Sequence, residues 1–271
     1  MAHRSALINV MVSATMKAAR GLKRDFGEVE QLQVSKKGPA DFVTQADRNA
    51  ERVLFEELGR ARPDYGFMME ERGRVEGRRG DARWIVDPLD GTTNFLHGLP
   101  HFAISIAAEE HGNLVAGIVY DPIKDELFWA EAGRGAYLND QRLRVSARTG
   151  LKEALLATGV PFAGRPDHDL FLAQLQAFMP DVAGIRRFGS AALDLAYVAA
   201  GRYDGFWEQG LNVWDMAAGV LLVREAGGFV TDLDGRGKML ESGRILAAND
   251  GLHATVLKVL KQAADTARIE A

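Results

Sequence analysis

The 271-residue chain contains no cysteine. That removes disulfides, thiolate nucleophiles and thiolate metal sites together, and it fits a reducing compartment, so the cytoplasm is the expected location. Long apolar runs are also missing. Nothing approaches the roughly 18 residues of a membrane span, and no membrane contact is expected. Near the start, Leu7, Ile8, Val10 and Met11 form a short run broken by Asn9, with Lys17 and Arg20 behind it. This reads as a helix rather than a secretory leader. There is no excess of positive charge. A net charge of -4 argues against a surface given over to nucleic acid. What is present, 47% hydrophobic and 26% charged residues, is the composition of a packed globular protein.

Apolar spacing predicts two opening helices, Ser5 to Leu22 and Gln45 to Arg60, joined by a loop or loose hairpin from Val34 to Asp47. Short strand-length runs follow at Trp84 to Val86, Phe102 to Ala108, Leu114 to Tyr120 and Leu127 to Ala130, which point to a large, mainly antiparallel sheet. Asn139-Asp140 between apolar residues marks a further hairpin turn. After Val145 strands and helices alternate: Ala154 to Thr158, Phe171 to Phe178, Ala191 to Ala200, Tyr203 to Trp207, Asp215 to Ala226, Gly228 to Thr231, Ile245 to Ala248 and a closing helix. No linker rich in proline or serine separates the parts. The expectation is an α+β half over residues 1–145 and an α/β half over 146–271, packed as one unit.

The chemistry concentrates in "DPLDGTTNF", residues 87–95. Pro88 disfavours helix at Asp87 and starts a turn that can swing Asp90 beside it. Two converging carboxylates repel, and a divalent cation resolves the conflict by taking both as hard oxygen ligands. The Leu89 carbonyl is a further donor. Gly91, Thr92 and Thr93 then enter a helical turn whose free N–H groups suit phosphate. The plainer reading is that Asp90 caps that helix and Asp87 merely ends a strand.

"WIVDPLDGTTNF" together with "VWDMAAGVLLVREAGG", Val213 to Gly228, resembles the paired signatures of the inositol monophosphatase family. The resemblance extends through "DFVTQAD", "EERG" and "GSAALDLAYVAAGRYDGFWE", Gly189 to Glu208, and so covers nearly the whole chain. It implies the layered αβαβα sandwich shared with fructose-1,6-bisphosphatase, a homodimer, and a magnesium-dependent, lithium-sensitive phosphomonoesterase. It further implies that Glu70, Asp87 and the Leu89 carbonyl hold one magnesium, that Asp87, Asp90 and Asp215 hold a second, and that Glu70 helps a third. Thr92 would position a water on the metal, supported by Asp47, while Gly91, Thr92 and Thr93 face the phosphate. Glu208, Gly189, Ser190 and Ala191 would form the wall for the organic group, and Lys36 and Lys37 would lie in a loop near the phosphate. One departure stands out: the family usually has glycine before the glutamate pair, where this chain has Met69. Either the backbone there is ordinary, or Glu70 is presented differently, and the third ion depends on which.

Rival patterns fail on local grounds. His97 and His101 have metal-pair spacing, but Gly98 and Pro100 interrupt any helix between them. "GRGAYL", Gly133 to Leu138, lacks the third glycine of a dinucleotide fingerprint. Ser190 lies outside a nucleophile elbow. The expected function is therefore hydrolysis of a small polyol phosphate, inositol 1-phosphate first, with histidinol phosphate, fructose 1,6-bisphosphate and 3'-phosphoadenosine nucleotides as competitors. A regulatory protein on the same fold, contacting nucleic acid or transcription machinery, is the alternative of a different class, and no motif supports it.

Overall fold

The structure is a computed structural model. It describes residues 4–28, 34–38, 41–162 and 164–270, with the side chains of 34–44 and 268–270 excepted, so those of Lys36 and Lys37 lie outside the described residues.

Five layers stack in the order αβαβα. The outer helical layer is α1 (Ala6–Phe26) and α2 (Gln45–Ala61), with the β1 (Val34–Gly38) and β2 (Asp41–Thr44) hairpin between them in sequence. Ser5 caps α1, its Oγ accepting from the Ile8 N–H at 3.2 Å. One face of each helix, with Ile8, Met11, Leu22, Leu54 and Leu58 buried, packs on the first sheet.

That sheet has eight strands: β3 (Gly66–Met69), β4 (Gly73–Val75), β5 (Ala82–Asp90), β6 (Ala103–Glu110), β7 (Asn113–Asp121), β8 (Glu126–Glu131), β9 (Gly135–Leu138) and β10 (Gln141–Arg142). Their spatial order is β10-β9-β8-β7-β6-β5-β3-β4, antiparallel throughout except where β3 runs parallel to β5. After β5 comes the five-residue helix α3 (Thr92–Leu96).

The second sheet holds β11 (Leu155–Thr158), β12 (Gly184–Arg186), β13 (Gly205–Gln209), β14 (Phe229–Thr231) and β15 (Arg244–Ala248) in the order β12-β11-β13-β15-β14. Helix α4 (His168–Phe178) and the closing α8 (Asp250–Glu270) cover its outer face, with α7 (Met239–Ser242) a single turn before β15. Between the sheets lie α5 (Ala191–Ala199) and α6 (Val213–Glu225). Every residue of α5 is buried, as a helix enclosed on all sides requires. Small residues permit this: a Cβ on Gly117 of β7 would stand 3.1 Å from the Ala218 Cα of α6.

Two expectations need correcting. Strand β5 does not end at Val86 in a proline turn; it continues to Asp90 across a bulge, pairing Asp87 with Ser105 and Asp90 with Ala103. Pro88 has no N–H to lose from the ladder and sits where the ladder is interrupted. Helix α6 does not begin at Asp215. Its cap is Asn212, and Asp215 lies in the first turn with Oδ2 accepting the Asn212 N–H at 2.7 Å.

Candidate active site

The bulge in β5 does the work expected of a turn: it brings Asp87 and Asp90 to the same end of the sheet. The Asp87 side chain folds back so that Oδ1 accepts the Leu89 N–H at 2.9 Å, and the residue is only 2% exposed. Asp90 turns toward the middle helical layer. Its Oδ2 accepts from Ser190 Oγ at 2.6 Å and from the Ala192 N–H at 2.8 Å, so it caps α5 across the fold rather than α3 beside it. The cap of α3 is Gly91 at φ +92°, where a Cβ would meet the His101 carbonyl at 3.0 Å.

Asp215 arrives from α6 and Glu70 from the turn after β3. Asp87 is pushed well above the usual carboxylate range, first by burial and then by the charges of Glu70, Asp90 and Asp215. Asp215 is raised by burial, by Asp90 and by Glu70, against the stabilising Asn212 N–H. Burial lifts Asp90 to about 6 despite the bonds from Ser190 and Ala192. Four acidic groups from three parts of the chain thus act on one another through their charge. Among the described residues no three His, Asp or Glu groups stand close enough to enclose an ion as they are.

The donor set nevertheless fits a hard divalent cation: it is all oxygen, with no imidazole or sulfur, and its mutual repulsion is what a cation relieves. Asp87, Asp90 and Asp215 each have an oxygen anchored by the protein. Thr92 Oγ1 lies 3.0 Å from the Leu89 carbonyl and 3.2 Å from Asp47 Oδ1, with Asp47 buried in the first turn of α2. A hydroxyl has one proton, so it donates to one of these at a time and keeps lone pairs for a third group.

Met69 is fully buried within β3, paired with Gly73 and Val86, and shows no left-handed backbone. Of the two readings of that position, the ordinary backbone holds. Glu70 follows directly.

A cavity of about 350 Å³ opens beside these groups. Asp90, Asp215 and Gly91 to Thr93 line it together with Gly189, Ser190, Ala191 and Glu208. Asp87, Glu70 and Asp47 are not among its lining residues. Glu208 is no surface charge: its carboxylate presses on Gly159 at the end of β11, and burial with the Asp90 charge raises it to about 8, against the opposing fields of Arg187 and Arg165. His97 and His101 do not pair; His97 ends α3, and His101 packs 5.2 Å from Phe188.

Several contributors carry no sequence signal. Glu51, on α2, is 4% exposed and accepts the Glu71 and Arg72 N–H groups at 2.8 and 3.1 Å, which holds the turn carrying Glu70. Asn94 donates to the carbonyls of His101 and Phe188 at 2.8 and 2.7 Å and so ties α3 to the segment before Gly189. Arg165, Arg187 and Trp207 also line the cavity. Nothing in their spacing distinguishes them from surface or core residues.

A family model described as the inositol monophosphatase family matches residues 3–265. An inositol-1-monophosphatase of Mesorhizobium japonicum is 60% identical over 259 residues, which is 96% of this chain and 97% of that one. A protein of Pseudomonas aeruginosa named Nus factor SuhB is 46% identical, over 94% and 96% of the two chains. The crystal structure of an extragenic suppressor protein suhB from Bartonella henselae superposes with a TM-score of 0.93 at 58% identity, covering 95% of this chain and 99% of that one.

Proposed function

Since the chain belongs to the inositol monophosphatase family and is a phosphatase of that kind, we propose that it hydrolyses the phosphate monoester of a small polyol, with inositol 1-phosphate as the first candidate. The observation that carries this is the gathering of Asp87, Asp90, Asp215 and Glu70, mutually destabilised by charge, beside a cavity lined by Gly91, Thr92 and Thr93.

The family is generally magnesium-dependent. Glu70, Asp87, Asp90, Asp215 and the Leu89 carbonyl would hold two or three such ions. Bound there, magnesium supplies Lewis-acid polarisation of the phosphoryl group and makes water a stronger nucleophile at neutral pH. Lithium is expected to inhibit.

The chain's own groups orient the reactants. With its proton directed to Asp47 or to the Leu89 carbonyl, the Thr92 hydroxyl accepts a hydrogen bond from the attacking water and fixes its direction. The N–H groups of Gly91, Thr92 and Thr93 face the phosphate oxygens. Because α3 is a single turn, these donors act as individual dipoles and the helix adds little. Glu208 accepts from a hydroxyl of the organic group, with Gly189 to Ala191 as the adjoining wall. Water oxygen bonds to phosphorus, the ester P–O bond breaks, and the alcohol leaves with a proton.

Asp90→Asn tests the reading. An amide oxygen can still accept from Ala192, so circular dichroism should be unchanged while magnesium-dependent phosphate release falls at least 100-fold. Unchanged turnover would reject the site. A panel of inositol 1-phosphate, histidinol phosphate, fructose 1,6-bisphosphate and 3'-phosphoadenosine nucleotide ranks the substrates. No release from any of them would favour a binding role, such as the names of the SuhB relatives suggest for those proteins. A homodimer and a cytoplasmic location are expected, and sizing chromatography and fractionation check them.

A further inference from the structure

The phosphate-facing turn and the wall for the organic group meet backbone to backbone. Gly91 stands at φ +92° and Gly189 at φ +83°, and a Cβ on Gly91 would lie 3.0 Å from the His101 carbonyl and 3.3 Å from that of Gly189. Both positions suit glycine, for the left-handed backbone and for the close approach. With no Cβ on either residue nothing in this contact interlocks. The register of the two segments therefore depends on what ties them from the side.

Asn94 supplies that tie. It is buried in α3 and lines the same cavity. Its Nδ2 donates to the His101 carbonyl at 2.8 Å and to the Phe188 carbonyl at 2.7 Å, with the Gly189 carbonyl at 3.5 Å. An amide nitrogen carries two protons and both are used; the amide oxygen in that place would face carbonyl oxygens. The segment it holds is exposed at Arg187 and Phe188 and buried from Ser190 onward. Past Gly189, Asp90 accepts from Ser190 Oγ at 2.6 Å and from the Ala192 N–H at 2.8 Å. The wall is thus gripped twice, by acceptor oxygen on Asp90 and by donors on Asn94. Asp90 is shared with the proposed cation site, whereas Asn94 carries no charge for an ion to draw on.

We infer that Asn94 is a positioning residue for the organic half of the substrate: it keeps Phe188 to Ala191 in register with the phosphate-facing turn, and through that wall sets how tightly a hydroxyl-bearing group binds. This rests on the phosphatase reading above and on the wall that reading assigns. Asn94 takes no part in bond making. A wall that contributes equally to substrate and transition state changes KM and leaves kcat alone.

The test compares the wild type, Asn94→Ala and Asn94→Asp with magnesium on inositol 1-phosphate and on 4-nitrophenyl phosphate, whose organic group has no hydroxyl. Asn94→Ala should raise KM for inositol 1-phosphate at least about fivefold, while its kcat, KM for the nitrophenyl ester and the half-saturating magnesium concentration change less than about twofold. Asn94→Asp keeps the volume but supplies at most one proton for two carbonyls, so it should lose selectivity as well, and it carries the comparison if Asn94→Ala does not fold. Equal losses on both esters, or no loss on either, overturn the assignment. Amide hydrogen exchange reads the tie without turnover: peptides over residues 187–192 should exchange at least about tenfold faster in the variants, with peptides from β7 unchanged. Unaltered exchange, or a rise spread over the whole chain, overturns it. If the wild type releases phosphate from neither ester, the phosphatase reading fails separately, and the exchange result decides the role of Asn94.

Discussion

Glu51 offers a sharp test of how the fold holds the acidic site together. Its Oε2 is the common acceptor for the Glu71 and Arg72 N–H groups at 2.8 and 3.1 Å, and its contact with the exposed Arg72 Nε is looser, at 3.8 Å. Burial raises its carboxyl above the usual range in spite of those two N–H groups. The oxygen therefore matters more than the charge. Glu51→Ala removes both bonds at a turn that water can partly reach, so each is worth about 1 to 1.5 kcal/mol, and the variant should lose about 2 to 3 kcal/mol. In a chain of this size that is roughly 4 to 5 °C in Tm. Glu51→Gln keeps an acceptor oxygen and drops a charge that burial disfavours. It should stay within about 1 kcal/mol of the wild type at pH 7 to 8.

The same comparison reads function, because the turn carries Glu70. Releasing it should raise the half-saturating magnesium concentration of Glu51→Ala roughly tenfold, a typical consequence of loosening the groups behind a metal ligand. Glu51→Gln should keep near-normal magnesium dependence. Urea unfolding and a magnesium titration of phosphate release measure the two effects. The reasoning fails if Glu51→Ala unfolds at the wild-type midpoint, or if Glu51→Gln loses as much as Glu51→Ala.

Further expectations follow from other parts of the fold. Magnesium should raise Tm, by about 2.7 kcal/mol of stabilisation at a hundredfold excess over Kd, and Asp90→Asn should blunt the rise; a Tm indifferent to magnesium and chelator contradicts a cation among these carboxylates. Gly117→Val would drive a side chain into the α6 backbone, where even a Cβ has only 3.1 Å, and should cost at least about 2 kcal/mol in urea unfolding. His101 is held down to about 4 by burial, with Lys124 adding to it. The unfolded chain therefore binds the extra proton between about pH 6.5 and 4 and stability falls as pH drops through that window, by about 2 kcal/mol once partial solvent access is discounted. His101→Leu should flatten that acid limb, and an unaltered pH profile of unfolding would exclude the histidine as its source.

The sequence by itself determined the elements and the type of chemistry. Apolar spacing located α1, α2, α4, α5, α6 and the closing α8, and the long strands, to within a few residues, because burial of one face is a local property of the chain, whereas the single turn α7 is too short to show a period. The hairpin at Asn139 was legible for a similar reason: the residue sits at φ +52°, and asparagine tolerates that conformation. The cluster of Asp87, Asp90, Gly91 and Thr92 was visible because its members are neighbours along the chain.

What the tertiary structure decided are relations between distant segments. A proline in "DPLD" predicts a turn, whereas pairing with β6 turns it into a bulge and keeps the strand running to Asp90. Apolar spacing starts a helix at Asp215, yet the chain's path starts α6 at Val213 behind the Asn212 cap and leaves Asp215 acting on the other acids through its charge. Asp90 takes its partners from residues about a hundred positions away, Ser190 and Ala192, and no local pattern predicts a cap supplied across the fold. Glu51 has the sequence context of a solvated helix charge, since such a charge acquires meaning only from what packs opposite it. The energies involved are of the same kind in both cases, hydrogen bonds and charge in partial burial. Burial, and hence which charges count, is set only when the layers close.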